Sequence, residues 1–168
     1  MAILNYIANA WTALWDSTVG SIFATAAISM VPIIELRGAI PIAVANDVNY
    51  WVAITVSIIG NLIPVPFIIL FIRRLFAVMH NWGKFGNLVK KLEDRAQSKS
   101  DVVVKYAFWG LFILVAIPLP GTGAWTGALV AAMLDVRLKR AFPAIALGVV
   151  AAAAIVTFVT YGGMALFT

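Results

Sequence analysis

The sequence predicts an all-α polytopic integral membrane protein, an inverted repeat of two re-entrant helical hairpins, each followed by a transmembrane helix. Three observations predict it. Hydrophobic residues make up 63% of the 168 residues and charged residues 11%, with a mean hydropathy of +1.00, where soluble domains hold roughly 45–50% and 25%. Two apolar runs of 29 residues, 18–46 and 106–134, are each interrupted near the middle by proline and glycine. Each run is followed by an Asp-Val turn and then by a further apolar segment, 51–72 or 141–161.

The length fits one domain, residues 1–168, with no room for a large soluble module. There are no cysteines and one histidine, which excludes disulfides, thiol chemistry and a histidine-rich metal centre. The net charge of +5 is not a nucleic-acid signal, because eight of the twelve Lys and Arg residues fall between Arg73 and Lys105. In a membrane chain that clustering reads as topology and contact with anionic lipid. The first cation is Arg37, so no cleaved leader is expected.

Residues 1–17 place Ile3, Leu4, Ile7, Trp11, Leu14 and Trp15 at helical spacing and predict a short interfacial helix with both tryptophans at the headgroups. A straight helix over 18–46 would be about 43 Å long, beyond the roughly 30 Å hydrocarbon core. Folding it at Glu-Leu-Arg-Gly, between Pro32 and Pro41, gives two arms that each reach about mid-membrane. Residues 51–72 make a spanning helix of about 33 Å, kinked near Asn61, Pro64 and Pro66, with the Asn61 amide facing protein. Residues 73–105 predict an amphipathic segment on the cytoplasmic leaflet, with Leu75, Met79, Trp82, Val89 and Leu92 opposite a cationic side. Residues 106–134 repeat the broken design around Pro-Leu-Pro-Gly-Thr-Gly at 118–123, and 141–161 make the last span.

Sliding the chain on itself by 88 residues pairs Pro32 with Pro120, Ala43 with Ala131, Asp47-Val48 with Asp135-Val136, Ala53 with Ala141 and Gly60 with Gly148. Charge then selects a topology. With hairpins at both breaks and 73–105 in the cytoplasm, every Lys and Arg except Arg37 lies on the cytoplasmic side; four full crossings would put Arg137, Lys139 and Arg140 outside.

Glu35 and Arg37 are the candidates for chemistry, since an ionisable group at mid-membrane is costly and faces a cavity or a partner. In an unwound tip both can face one cavity, Glu35 exchanging a proton and Arg37 presenting its planar fork to a phosphate or carboxylate. The alternative is a self-neutralising pair that holds the hairpin. Gly38, Pro118, Pro120, Gly121, Thr122 and Gly123 complete the candidate substrate site: the second break contributes a hydroxyl but no charge and can offer backbone N–H groups to an anion, the alternative being a tight hairpin turn with no ligand. The Gly-Ala-Trp-Thr-Gly stretch at 123–127 reads as helix packing. No His-Glu-x-x-His, Gly-x-Ser-x-Gly or Walker pattern is present, so no enzyme and no cofactor are expected.

Glu-Leu-Arg-Gly-Ala-Ile-Pro-Ile-Ala at 35–43, with Pro-Leu-Pro-Gly-Thr-Gly-Ala-Trp-Thr-Gly-Ala at 118–128, resembles the bacterial small multi-drug export protein family, which looks like a compact branch of the DedA-like (VTT-domain) superfamily. The resemblance covers about residues 18–161 and implies paired re-entrant hairpins in the bacterial inner membrane. For the wider superfamily it implies transport of lipid-linked phosphates such as undecaprenyl phosphate with dependence on the proton gradient. The arginines that DedA proteins carry in the second hairpin have no counterpart at 118–128. The expectation is a proton-coupled secondary transporter of an anionic amphiphile, a lipid-linked phosphate or an amphiphilic drug, acting as a homo-oligomer among membrane lipids. The other expectations are an uncoupled lipid scramblase and a non-transporting scaffold.

Overall fold

The computed structural model describes the backbone of residues 9, 11–80, 100–119 and 121–167, and side chains at 9, 11–75, 106–119 and 121–162. Within these residues every regular element is an α-helix: α1 (Thr18–Met30), α2 (Glu35–Ala45), α3 (Tyr50–Leu62), α4 (Pro64–His80), α5 (Ser100–Ala116), α6 (Ala124–Met133) and α7 (Leu138–Phe167). The chain forms two compact units, Met1–Asn61 with Ala153–Thr168, and Leu62–Ala152.

In the first unit α1 packs along α2. Ser17 starts α1 by accepting the Gly20 N–H at 3.0 Å, an N-cap that gives an orphan donor a partner. The helix ends at Val31, whose ψ of 127° is extended, because the Pro32 ring disfavours the helical region in the residue before it. The break therefore falls at residues 31–34. This corrects the expectation of a break at Glu-Leu-Arg-Gly: Glu35, Arg37 and Gly38 lie in α2, and Pro41 sits inside that helix without ending it. Proline removes one helical hydrogen bond, and packing of the α2 residues Leu36, Ala39, Ile40 and Ala43, all at most 1% exposed, outweighs that loss.

Trp15, Ala24, Ala43 and Ala53 form the apolar core of this unit, with Ile28, Ile42 and Val48 packed against it. Trp15 thus serves the core, whereas Trp11 is exposed and meets it edge-on at 5.5 Å. Residues 11–16 are helical as expected; residues 1–8 lie outside the described residues. Gly60 of α3 is the close-approach point to α1, where a methyl group would collide with Ser29 Oγ and lie 2.8 Å from the Ala26 carbonyl oxygen.

The second unit is built the same way. α6 packs on α4 and on α5. Gly148 of α7 approaches α5 so closely that a methyl group would lie 2.7 Å from Val115 Cβ and 2.9 Å from the Phe112 carbonyl oxygen. Gly60 and Gly148 are 88 residues apart, so the repeat extends to helix packing. Gly127 meets Val115 and Ile145, which supports the packing reading of 123–127.

The repeat is clearest in the backbone at the Asp-Val turns. Val48 N–H reaches the Ala43 carbonyl at 3.0 Å and Asp47 N–H the Val44 carbonyl at 3.1 Å; Val136 reaches Ala131 at 2.9 Å and Asp135 reaches Ala132 at 3.2 Å. Both are Schellman ends, and their pivots, Asp47 (φ 59°) and Asp135 (φ 51°), are left-handed. Glycine adopts that conformation without the Cβ clash. Asp47→Gly is therefore expected to stabilise the protein by about 0.5–1 kcal/mol. Asp135 also holds Arg73 in an exposed ion pair at 2.5 Å, worth about 0–1 kcal/mol, so Asp135→Gly should gain less. Unfolding midpoints of the two variants in detergent check the order.

Tyr50–Leu75 and Leu138–Gly162, 26 and 25 residues, are long and apolar enough to cross a membrane, close to the expected 51–72 and 141–161. Ile63 marks the expected interruption, with Pro64 at the first position of α4, where its missing N–H is harmless. Large apolar side chains cover the outside: Phe158 is 79% exposed, Trp51 71% and Phe67 69%. Such surface needs lipid or another apolar partner. Of the polar segment 73–105, residues 73–80 continue α4 and 100–105 begin α5, while 81–99 lie outside the described residues.

Candidate functional site

The break before α2 carries Glu35 into the interior. Val31 leaves the helical region under Pro32, the Glu35 N–H returns to the Val31 carbonyl at 2.9 Å, and the chain resumes as α2. Glu35 itself has φ 50°. A non-glycine residue there is uncommon, and such strain concentrates at functional sites. Its side chain is 3% exposed, although a carboxylate is almost never fully buried unless paired.

Arg37, half-buried, lies within electrostatic reach of Glu35. On a regular helix residues two apart point in different directions. The left-handed backbone at Glu35 departs from that geometry, so the first turn of α2, not an unwound tip, brings acid and base together. Gly38 closes that turn, its N–H bonded to the Ile34 carbonyl at 3.0 Å. The first unit thus assembles Glu35, Arg37 and Gly38 from consecutive positions.

Pro118, Gly121, Thr122 and Gly123 belong to the second unit, in the break between α5 and α6; Pro120 lies outside the described residues. Gly121 (φ 81°) and Gly123 (φ 149°) take conformations that a side chain would strain, so they define the turn. The Thr122 hydroxyl lies 2.8 Å from the Ile117 carbonyl and 2.9 Å from that of Leu119, and the Thr126 hydroxyl donates to the Gly121 carbonyl at 2.8 Å. The Thr122 hydroxyl thus folds the turn onto the end of α5, as a tight hairpin turn does.

Sequence reasoning placed Asn61 inward, and it is 1% exposed. It passed over the buried hydroxyl groups of the first unit. Ser21, Thr25 and Ser29 line one face of α1, each donating to its own helix, at 3.0 Å to Thr18, 2.7 Å to Ser21 and 3.1 Å to Ala26. Ser57 of α3 and Thr157 of α7 are also buried. Their signal was legible: hydroxyl residues every four positions in an apolar helix mark a face turned away from lipid.

A family model described as "Putative small multi-drug export protein" matches residues 35–155, well over half of the chain, and it begins at Glu35. No curated protein and no solved structure matches the chain.

Proposed function

The chain belongs to the small multi-drug export protein family, and from that premise we propose a proton-coupled secondary transporter of an anionic amphiphile in the bacterial cytoplasmic membrane. The carrying observation is Glu35, a buried acid on left-handed backbone within electrostatic reach of Arg37. Family and apolar helices make this a membrane protein. The arms of the first hairpin, 13 and 11 residues, are about 20 and 16 Å long, each enough for half of a roughly 30 Å core. That length supports re-entrant hairpins, the second formed by α5 and α6.

Charge balance gives the coupling. An empty site is neutral when Glu35 is ionised beside Arg37. An anion on the Arg37 fork upsets that balance, and Glu35 offsets it by taking up a proton, fully for a singly charged anion and in part for a phosphate monoester. Net charge in a low dielectric is kept smaller when proton and anion are bound together than when the anion is bound alone. Proton and anion therefore travel together, with Arg37 binding the anion and Glu35 carrying the proton. The resemblance to DedA-like proteins points to a prenyl phosphate as the anion, and the family description to an amphiphilic drug.

Farnesyl phosphate is a soluble probe of this chemistry. Added outside phosphatidylethanolamine–phosphatidylglycerol proteoliposomes loaded with pyranine, it should acidify the lumen faster than in protein-free vesicles. Movement of the probe without acidification would assign an uncoupled scramblase, and neither movement nor acidification a scaffold. The exposed apolar faces of α4 and α7 support a homo-oligomer; cross-links in native membranes that stop at the monomer would remove it from this reading.

A further inference from the structure

Ser57 and Asn61 are four residues apart, so they share a face of α3. Their exposures are 0% and 1%, and the Ser57 hydroxyl, the Asn61 amide oxygen and the Asn61 amide nitrogen have no hydrogen-bond partner among the described residues. The Thr157 hydroxyl, on the part of α7 that belongs to the same unit, is in the same condition. One turn beyond it, the Tyr161 ring meets Tyr50 of α3 at 4.7 Å. The contrast is with α1, whose Ser21, Thr25 and Ser29 are satisfied by their own helix.

A buried polar group without a partner keeps the full cost of its lost hydration, so these groups call for a fourth participant. A bare cation would serve the oxygens and leave the Asn61 N–H groups unmet. An apolar group would serve neither. Water donates and accepts, and buried waters make about three hydrogen bonds to groups of this kind. The location gives such water a role. Gly60, beside Asn61, is where α3 meets Ser29 at the end of α1. Two residues later the chain enters the break that delivers Glu35, whose N–H is tied back to Val31.

We propose that Ser57, Asn61 and Thr157 hold a file of internal water that reaches the Glu35 carboxyl and is its proton route. The use of the proton rests on the transport reading above; the water site does not. The test needs no transported substrate when it is run at a pH low enough to protonate Glu35. The infrared band of the protonated Glu35 carboxyl, assigned by its loss in Glu35→Gln, shifts when deuterium replaces the proton. In the wild-type protein transfer to heavy water should shift it within the mixing time. In Ser57→Ala/Asn61→Leu, which keeps the branched shape at 61 and removes polarity, the shift should be slowed at least about tenfold. Asn61→Ser, which restores a hydroxyl, should stay fast. Exchange in the double variant as fast as in wild type overturns the proposal. Thr157→Val conserves shape, is read in the same way, and decides the matter should the double variant fail to fold. Rapid exchange in wild type without farnesyl phosphate-driven acidification would sink the transport reading instead, and leave the water route standing.

Discussion

Glu35→Gln should abolish farnesyl phosphate-dependent acidification while leaving the protein folded and able to bind the anion. Glutamine keeps the shape of the buried side chain and meets the same backbone demand at φ 50°, but it cannot take up a proton. It also ceases to compete for Arg37, so the probe should bind about tenfold more tightly, equivalent to about 1.4 kcal/mol. Arg37→Ala should separate cleanly from it. Removing Arg37 leaves the charge of the buried Glu35 uncompensated, at up to about 3–5 kcal/mol, whereas Glu35→Gln leaves only the half-buried Arg37 without its neighbour, so Arg37→Ala should lose probe binding and the larger share of thermal stability. Equilibrium binding, pyranine flux and detergent unfolding on the same preparations check the pattern. Wild-type flux in Glu35→Gln would refute the proton-carrying role.

Alanine at either repeat-related glycine should be strongly destabilising. At Gly60 the added carbon meets the Ala26 carbonyl at 2.8 Å as well as Ser29; at Gly148 it meets Val115 Cβ at 2.7 Å and the Phe112 carbonyl at 2.9 Å. Carbonyls of a neighbouring helix cannot rotate aside, so the helices must part, and overpacking of this kind costs about 1–3 kcal/mol. For a chain of this length each kcal/mol lowers the unfolding midpoint by roughly 2–4 °C. Gly110 is the control. Nothing lies within 4 Å of a methyl group there, and alanine in a helix is favoured over glycine by about 1 kcal/mol, so Gly110→Ala should raise the midpoint. A similar drop at all three positions would show that the close approaches do not govern stability.

What could be read in the sequence was whatever rests on solvent and composition. The apolar runs gave helices of nearly the right bounds, the 88-residue offset gave the repeat, and the inward Asn61 followed from the cost of an amide in lipid. The position of the first break was not legible because Pro32 and Pro41 look alike as residues. Pro32 acts on Val31 through a steric clash, while Pro41 is held in α2 by that helix's packing against α1 and the core around Ala43. Which carbonyls the Thr122 hydroxyl would bond was not legible for a related reason: it bonds the nearest ones that the turn brings within reach. The left-handed backbone of Glu35 had no signal at all. Nothing in Pro-Ile-Ile-Glu distinguishes an acid that starts a helix normally from one bent into the interior.

The corners at Asp47 and Asp135 are drawn in main-chain atoms, and main-chain atoms are common to every amino acid. Side chains around them are free to drift, as most of the two halves already have, while the torsion angles stay put. Kinship too distant for residue matching should therefore survive as two positive-φ corners at a constant interval, each closing a short helix. Torsion-angle comparison is the sharper instrument for tracing this chain's ancestry.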